Sequence, residues 1–154
     1  YKRQDLNVSF HRPVADDEHF DLFSRYVNAR HRESEMALME PDDFASMLQD
    51  SPVDTLVMSL RNKDGGLVAA CLCDRLNDGI SAVYSYFDPD VKGSLGSHII
   101  MRLVHAMAAA GKPHVYLGYW IDGSETMAYK SRFPGVEGLI DGRWQPLPLP
   151  AGKP

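Results

Sequence analysis

The chain has little of what would place it in a specialised class. Its 154 residues include only two cysteines, Cys71 and Cys73, two positions apart in an apolar run. On a strand that spacing puts both thiols on one face in poor geometry for a mutual disulfide, so a disulfide-stapled scaffold is excluded. No second cysteine pair completes a zinc site, and the six histidines form no His-x3-His or Cys/His cluster; no metal and no cofactor are expected. Both cysteines are read as buried, inert thiols. No stretch approaches the roughly 20 apolar residues of a membrane-spanning helix, and the start shows no basic-then-apolar leader. No membrane partner and a cytoplasmic location are therefore expected. Net positive charge is also missing: a formal charge of −5 argues against a protein that coats nucleic acid by bulk electrostatics.

What is present is the material of one compact domain, with 44% apolar and 24% charged side chains. The charge is uneven. Residues 33–90 hold twelve acidic side chains against Arg61, Lys63 and Arg75, a balance of −9, and the two ends together carry +4. A basic surface built from the ends and an evenly solvated surface both fit this pattern. The chain opens on Tyr1-Lys2-Arg3-Gln4-Asp5 rather than Met, from which an upstream N-terminal domain is expected to be missing.

Periodicity organises the rest. An extended stretch from Asn7 to Arg12 ends at Pro13, and Asp16, Asp17 and Glu18 place negative charge at a helix start. Phe20, Phe23, Tyr26, Val27 and Arg30 then recur at helical spacing to about His31. A second short helix opens at Pro41, whose missing N–H costs nothing in a first turn, and presents Phe44, Met47 and Leu48. From Asp54 the period becomes that of strands. Thr55–Leu60, Leu67–Leu76 and Ile80–Phe87 read as an antiparallel meander, divided by the turns Asn62-Lys63-Asp64-Gly65-Gly66 and Asn77-Asp78-Gly79. Glycine and asparagine there are read as supplying positive φ. After Asp88-Pro89-Asp90 and the segment Lys92–Ser97, a helix runs Ile99–Ala110 to Gly111 and Pro113, followed by a strand His114–Trp120. Strand, loop, helix and strand make a right-handed βαβ crossover with the second strand parallel to the first. A short helix over Glu125–Arg132 and a hairpin of Glu137–Ile140 with Arg143–Gln145 around Asp141-Gly142 complete the expected domain, residues 1–145. The Pro-rich tail 146–154 is expected to be loose.

These elements predict an α/β fold: a mixed sheet with an antiparallel meander and a βαβ crossover, flanked by helices, of the GCN5-related acetyltransferase-like (GNAT-like) kind. In that architecture the fourth and fifth strands splay apart and the donor substrate sits in the gap.

Particular segments sharpen the expectation. Tyr26-Val27-Asn28-Ala29-Arg30-His31, Met39-Glu40-Pro41-Asp42-Asp43-Phe44, the run Gly79–Asp90, Ser94-Leu95-Gly96, Val115–Ile121, Met127-Ala128-Tyr129-Lys130 and Asp141-Gly142-Arg143-Trp144 follow one another along nearly the whole chain. In order and spacing they resemble the C-terminal domain of the arginyl- and leucyl-transferase family of aminoacyl-tRNA–protein transferases, and compactness favours its bacterial leucyl branch. The chain departs from the family pattern at Thr126, at Pro134-Gly135 and at Arg32-Glu33-Ser34-Glu35, which bears on substrate preference more than on fold.

The resemblance implies an enzyme that moves an aminoacyl group, leucine ahead of arginine, from charged tRNA to the α-amine of proteins beginning with Asp or Glu. In the N-degron pathway that addition marks them for degradation. An α-amine titrates near 8 in water, so a carboxylate or phenol relay suffices as base. Asp122, Tyr119 and Tyr129 are the candidate catalytic residues. An acidic first residue asks for a cation, and Arg30, Lys130 and Arg132 are those inside matched motifs. Tyr84, Tyr86 and Trp120 are candidates to line a leucyl pocket. Lys92, Ser94 and Gly96, at a helix start, are candidates for the tRNA 3′ end. Each has a plain structural alternative: turn residue, core aromatic, surface charge or ordinary helix start. Two other functions remain open, a coenzyme A-dependent N-acetyltransferase and a non-catalytic module for acidic N-termini.

Overall fold

The structure, a computed structural model, describes residues 6–121, 123–124 and 127–147. The chain divides into two compact units, Tyr1–Tyr116 and Leu117–Pro154. The first carries a five-stranded sheet made of β1 (Asn7–His11), β2 (Thr55–Arg61), β3 (Leu67–Leu76), β4 (Gly79–Phe87) and β5 (His114–Tyr116), in that spatial order. The first four strands are antiparallel to their neighbours and β5 lies parallel to β4. Hairpin chemistry sets the register. The Asn62 side chain accepts the Asp64 and Gly66 N–H groups, and Gly65 takes φ +86° to close the β2–β3 turn.

The helices begin where capping groups stand. Helix α1 (Asp17–Arg30) starts at Asp16, whose carboxylate accepts the His19 N–H at 2.9 Å, with Asp17 and Glu18 on its positive end. Helix α2 (Pro41–Gln49) has Pro41 in its first turn, and the Asp43 carboxylate accepts the Glu40 N–H. A 3-10 turn, Glu35–Leu38, precedes it, an element with no counterpart in the sequence reading. Helix α3 (Leu95–Ala109) starts four residues before the expected Ile99, because Ser94 Oγ accepts the Ser97 N–H and caps it. Gly96 and Ser97 therefore belong to its first turn.

Two apolar layers hold the sheet. On one face Leu95, Ile99 and Leu103 of α3 pack with Met58, Leu60, Cys71, Cys73 and Ile80. On the other, Leu22, Phe23 and Val27 of α1 and Phe44 and Leu48 of α2 meet Val57, Ala70, Leu72 and Tyr86. Burial of this apolar surface is the main force assembling the layers. The cysteines are free thiols inside the first layer, with sulfurs 3.6 Å apart and the Ser85 hydroxyl donating to Cys71 Sγ. The hydrogen bond with Cys71, together with burial, pushes the Cys73 thiol up.

Two expectations are corrected at β5. The strand ends at Tyr116 rather than Trp120, because its ladder with β4 covers only Gly79 to Ser81, and Gly118 turns the chain at φ +72°. Gly79 is not among the glycines with positive φ. Its hydrogen is needed for a different reason: a Cβ there would stand 2.1 Å from the His114 carbonyl oxygen.

In the second unit, β6 (Glu137–Ile140) and β7 (Arg143–Pro146) form the expected hairpin. Asp141 and Gly142 take φ +49° and +75°, as a two-residue type I′ turn requires. The expected helix over Glu125–Arg132 is instead a set of turns leading to one 3-10 turn at Lys130–Arg132, with Glu125 and Thr126 outside the described residues.

Candidate active site

On its β5 side the ladder of β4 is short. Its first three residues pair with β5; from Ala82 to Phe87 it has no ladder partner on that side among the described residues. The closed end is well secured. The His114 N–H donates to the Asp78 carbonyl at 3.2 Å, the Tyr116 hydroxyl donates to Asp78 Oδ2 at 2.8 Å, and the Lys112 ammonium reaches the Asn77 carbonyl. At the parting a bulge interrupts the other edge: Tyr84 faces Leu72 but Ala82 faces Cys73, leaving Val83 as the extra residue. Such a bulge takes backbone groups out of the ladder and re-aims the side chains that follow. Ile80 and Ala82 lie on the α3 side, whereas Tyr84 and Tyr86 lie on the α1/α2 side.

The two tyrosines have different fates. Tyr86 is fully buried, its hydroxyl 2.7 Å from His19 Nδ1 and its ring edge-on to Phe23 and Phe44; its surroundings are those of a core residue. Tyr84 packs against Phe23 at 6.0 Å between ring centres, but its buried hydroxyl has no hydrogen-bond partner among the described residues. Burial raises the Tyr84 phenol to about 12, so it is a proton donor and not a base at neutral pH.

Around Phe87 three elements converge. The Tyr26 ring of α1 lies 4.7 Å from Phe87, and a Cβ on Gly96 of α3 would sit 3.6 Å from the same ring, which is ordinary contact. Arg25 ties α1 to the end of β4 through Asp88 at 3.3 Å. Arg30 ends α1 one turn beyond Tyr26, exposed and without an ion pair among the described residues. Lys92 and Ser94 are exposed at the start of α3, where Ser94 Oγ also donates to Ser97 Oγ at 2.7 Å. Gly93 bends the loop there at φ +110°.

In the second unit Lys130 has a defined structural task. Its ammonium donates to the carbonyls of Leu117 and Tyr119, both at 2.7 Å, pinning the loop that follows β5. Burial lowers its pKa. Tyr119 is 88% exposed, and Trp120 Nε1 is buried without a partner among the described residues. Tyr129 and Arg132 are exposed, and Asp122 lies outside the described residues. Seven of the twelve expected residues fall into three local groups: Tyr84 and Tyr86 on one face of β4; Lys92, Ser94 and Gly96 at the start of α3; Tyr119 and Lys130, joined by a hydrogen bond; Arg30, Trp120, Tyr129 and Arg132 stand outside these groups. The bulge at Val83 and the Asp78–Tyr116 closure had no signal in the sequence, because each depends on cross-strand register; buried His19 lies on the helix face of Leu22, Phe23 and Val27 and was missed.

Residues 18–140 match the family described as arginine-tRNA-protein transferase, C terminus. Proteins named aspartate/glutamate leucyltransferase, from Gluconacetobacter diazotrophicus and Granulibacter bethesdensis, are 48% and 47% identical over 134 residues, or 86% of this chain. Those matches cover 52% and 50% of the relatives, so the chain spans about half the length of the curated relatives it matches. Among solved structures, an aminoglycoside acetyltransferase from an uncultured soil metagenomic sample, in complex with sisomicin, aligns with a TM-score of 0.58. It is 12% identical, and the alignment covers 94% of this chain and 98% of that one. At that identity the likeness shows the fold, which is the acetyltransferase-like mixed sheet expected from the element order. The match from α1 to the end of β6 shows more: this chain belongs to the arginine-tRNA-protein transferase family, in its C-terminal region.

Proposed function

We propose that the protein transfers leucine from leucyl-tRNA to the α-amine of proteins whose first residue is Asp or Glu. It acts in the cytoplasm, and the addition marks those proteins for degradation. The observation that carries this reading is the family match over residues 18–140, which spans the point where β4 and β5 part. The name borne by the relatives, aspartate/glutamate leucyltransferase, supports leucine over arginine.

The chemistry asks little of the protein beyond placement. The donor ester is already activated. The neutral amine attacks its carbonyl carbon, the carbon–oxygen bond to the terminal ribose breaks, and the proton lost by nitrogen goes to the leaving ribose oxygen. With an α-amine pKa of about 8, a weak base or relay is enough; Asp122, Tyr119 and Tyr129 are the groups proposed to handle that proton. Lys92 and the first turn of α3, with Ser94 and Gly96, receive the 3′ end of the tRNA. Arg30, Lys130 and Arg132 supply positive charge for the acceptor, and Trp120 borders the leucyl side chain. The backbone at the Val83 bulge, where the ladder with β3 is interrupted, is the element proposed to donate an N–H to the oxyanion that forms as the amine adds.

The test uses the protein at its full natural length, with leucyl-tRNA and a peptide beginning with Asp. Mass spectrometry should show the peptide heavier by one leucine residue, with arginyl-tRNA giving less product. A peptide of unchanged mass with both donors overturns the reading.

A further inference from the structure

The Tyr84 hydroxyl is a polar group that folding leaves unserved. It is buried, yet no hydrogen-bond partner stands near it among the described residues. A lone buried donor is a cost to the folded protein, which a phenylalanine at the same place would avoid. Tyr86, two residues on and on the same face, shows the ordinary solution, its hydroxyl satisfied by His19. The strand here is the part of β4 that has no ladder partner on the β5 side among the described residues. A buried donor with no acceptor among the described residues, on the stretch of β4 past the end of its ladder with β5, fits a group whose partner arrives with substrate.

We infer that the Tyr84 hydroxyl contacts the acceptor substrate, donating a hydrogen bond to the side-chain carboxylate of its N-terminal Asp or Glu; this rests on the transfer reading above. The face of the sheet selects the acceptor over the donor. The start of α3, proposed for the tRNA end, belongs to the opposite layer from Tyr84. Two substrates that must join at the parting of β4 and β5 approach it from opposite faces. Charge selects the carboxylate within the acceptor. The attacking amine must keep its lone pair free, and so gains nothing from a donor. A carboxylate accepts from a neutral phenol in a short, charge-assisted bond. Arg30 ends the same helix that brings Tyr26 and Phe23 to this face, one turn beyond Tyr26, and supplies a cation on that side. Because Oη is covered, the arriving carboxylate displaces a covering group to reach it.

The experiment compares wild type with Tyr84→Phe at full natural length, reading three quantities: Tm, equilibrium binding of an Asp-initiated peptide, and leucine transfer to it. Removing an unpartnered buried hydroxyl should leave Tm unchanged or raise it by about 2 °C. Peptide binding should weaken about tenfold or more, with KM for the peptide rising by a similar factor and kcat changing less. Equal peptide binding by the two proteins overturns the inference, as does an Asp peptide that fails to bind wild type. Loss of binding together with a fall in Tm also overturns it, since a structural role then explains the loss. If wild type binds the peptide but transfers no leucine, the transfer reading falls, while the binding comparison still decides the role of Tyr84.

Discussion

His19 sits fully buried beneath the sheet, edge-on to His11 at 5.9 Å and hydrogen-bonded to Tyr86. Burial lowers its pKa from the ordinary 6.5, with His11 and Arg61 acting in the same direction and Asp16 and Glu18 opposing. The unfolded chain therefore binds this proton more readily than the folded one. The neutral ring contributes its full stability above pH 6.5, and that contribution is lost as pH falls below 6.5 towards the lowered folded value. Wild type should show a falling Tm between pH 7 and pH 5. His19→Gln should be less stable at pH 7 but have a flatter pH dependence, and an NMR titration should place the His19 midpoint below 6.5. A parallel slope in both proteins would assign the acid sensitivity elsewhere. This pairing was not legible in the sequence. Without the Val83 bulge, strand alternation would put Tyr84 and Tyr86 on the same face as Ile80 and Ala82; the extra residue moves both tyrosines to the α1/α2 face. Sequence spacing made them equivalent pocket candidates, and only His19, which meets the Tyr86 hydroxyl and not that of Tyr84, separates the satisfied group from the unsatisfied one.

Between elements, the decisive contact is the close approach of β5 to the start of β4. The meander, the crossover helix and the parallel return strand were legible, because turn residues and hydrophobic period change together at each boundary. The length of β5 was not, since His114 to Trp120 reads as a strand while the ladder that would sustain it stops at Ser81. Likewise Gly79 and Gly96 look alike in the sequence and differ in the fold. Gly79→Ala drives a Cβ into the His114 carbonyl, a backbone atom that cannot step aside without shifting β5. Gly96→Ala meets the Phe87 ring at 3.6 Å, an ordinary contact, in the first turn of a helix. Urea unfolding should show Gly79→Ala losing about 2 kcal/mol or more. Gly96→Ala should change stability little or raise it by up to about 1 kcal/mol. Equal small effects would mean that β5 does not hold its place against β4 tightly enough to define the parting.

For the molecule as a whole, charge restricts how the proposed tRNA substrate can be held. The net charge is −5, and the segment 33–90, which contains three of the five strands of the sheet, carries −9 of its own. A surface of that sign repels a phosphate backbone, so a tRNA meeting this domain gains little from counterion release. The start of α3 offers one exposed lysine, Lys92, and the N–H of Gly96, since those of Leu95, Ser97 and His98 are already bonded to Gly93 and Ser94. That is enough for a terminal nucleotide and too little for the body of the molecule. Each neutralised phosphate adds roughly 0.7 to 0.9 to the steepness of log K against log salt. The 154-residue chain by itself should therefore bind uncharged tRNA weakly, with a slope of about −2 or shallower; fluorescence anisotropy from 50 to 300 mM salt would measure it. Lys92→Ala should flatten the slope further by about 1. A slope steeper than about −5 would require a basic track of five or more phosphate contacts, and the tRNA would then be gripped along its backbone by the positively charged ends of the chain rather than presented by its 3′ terminus alone.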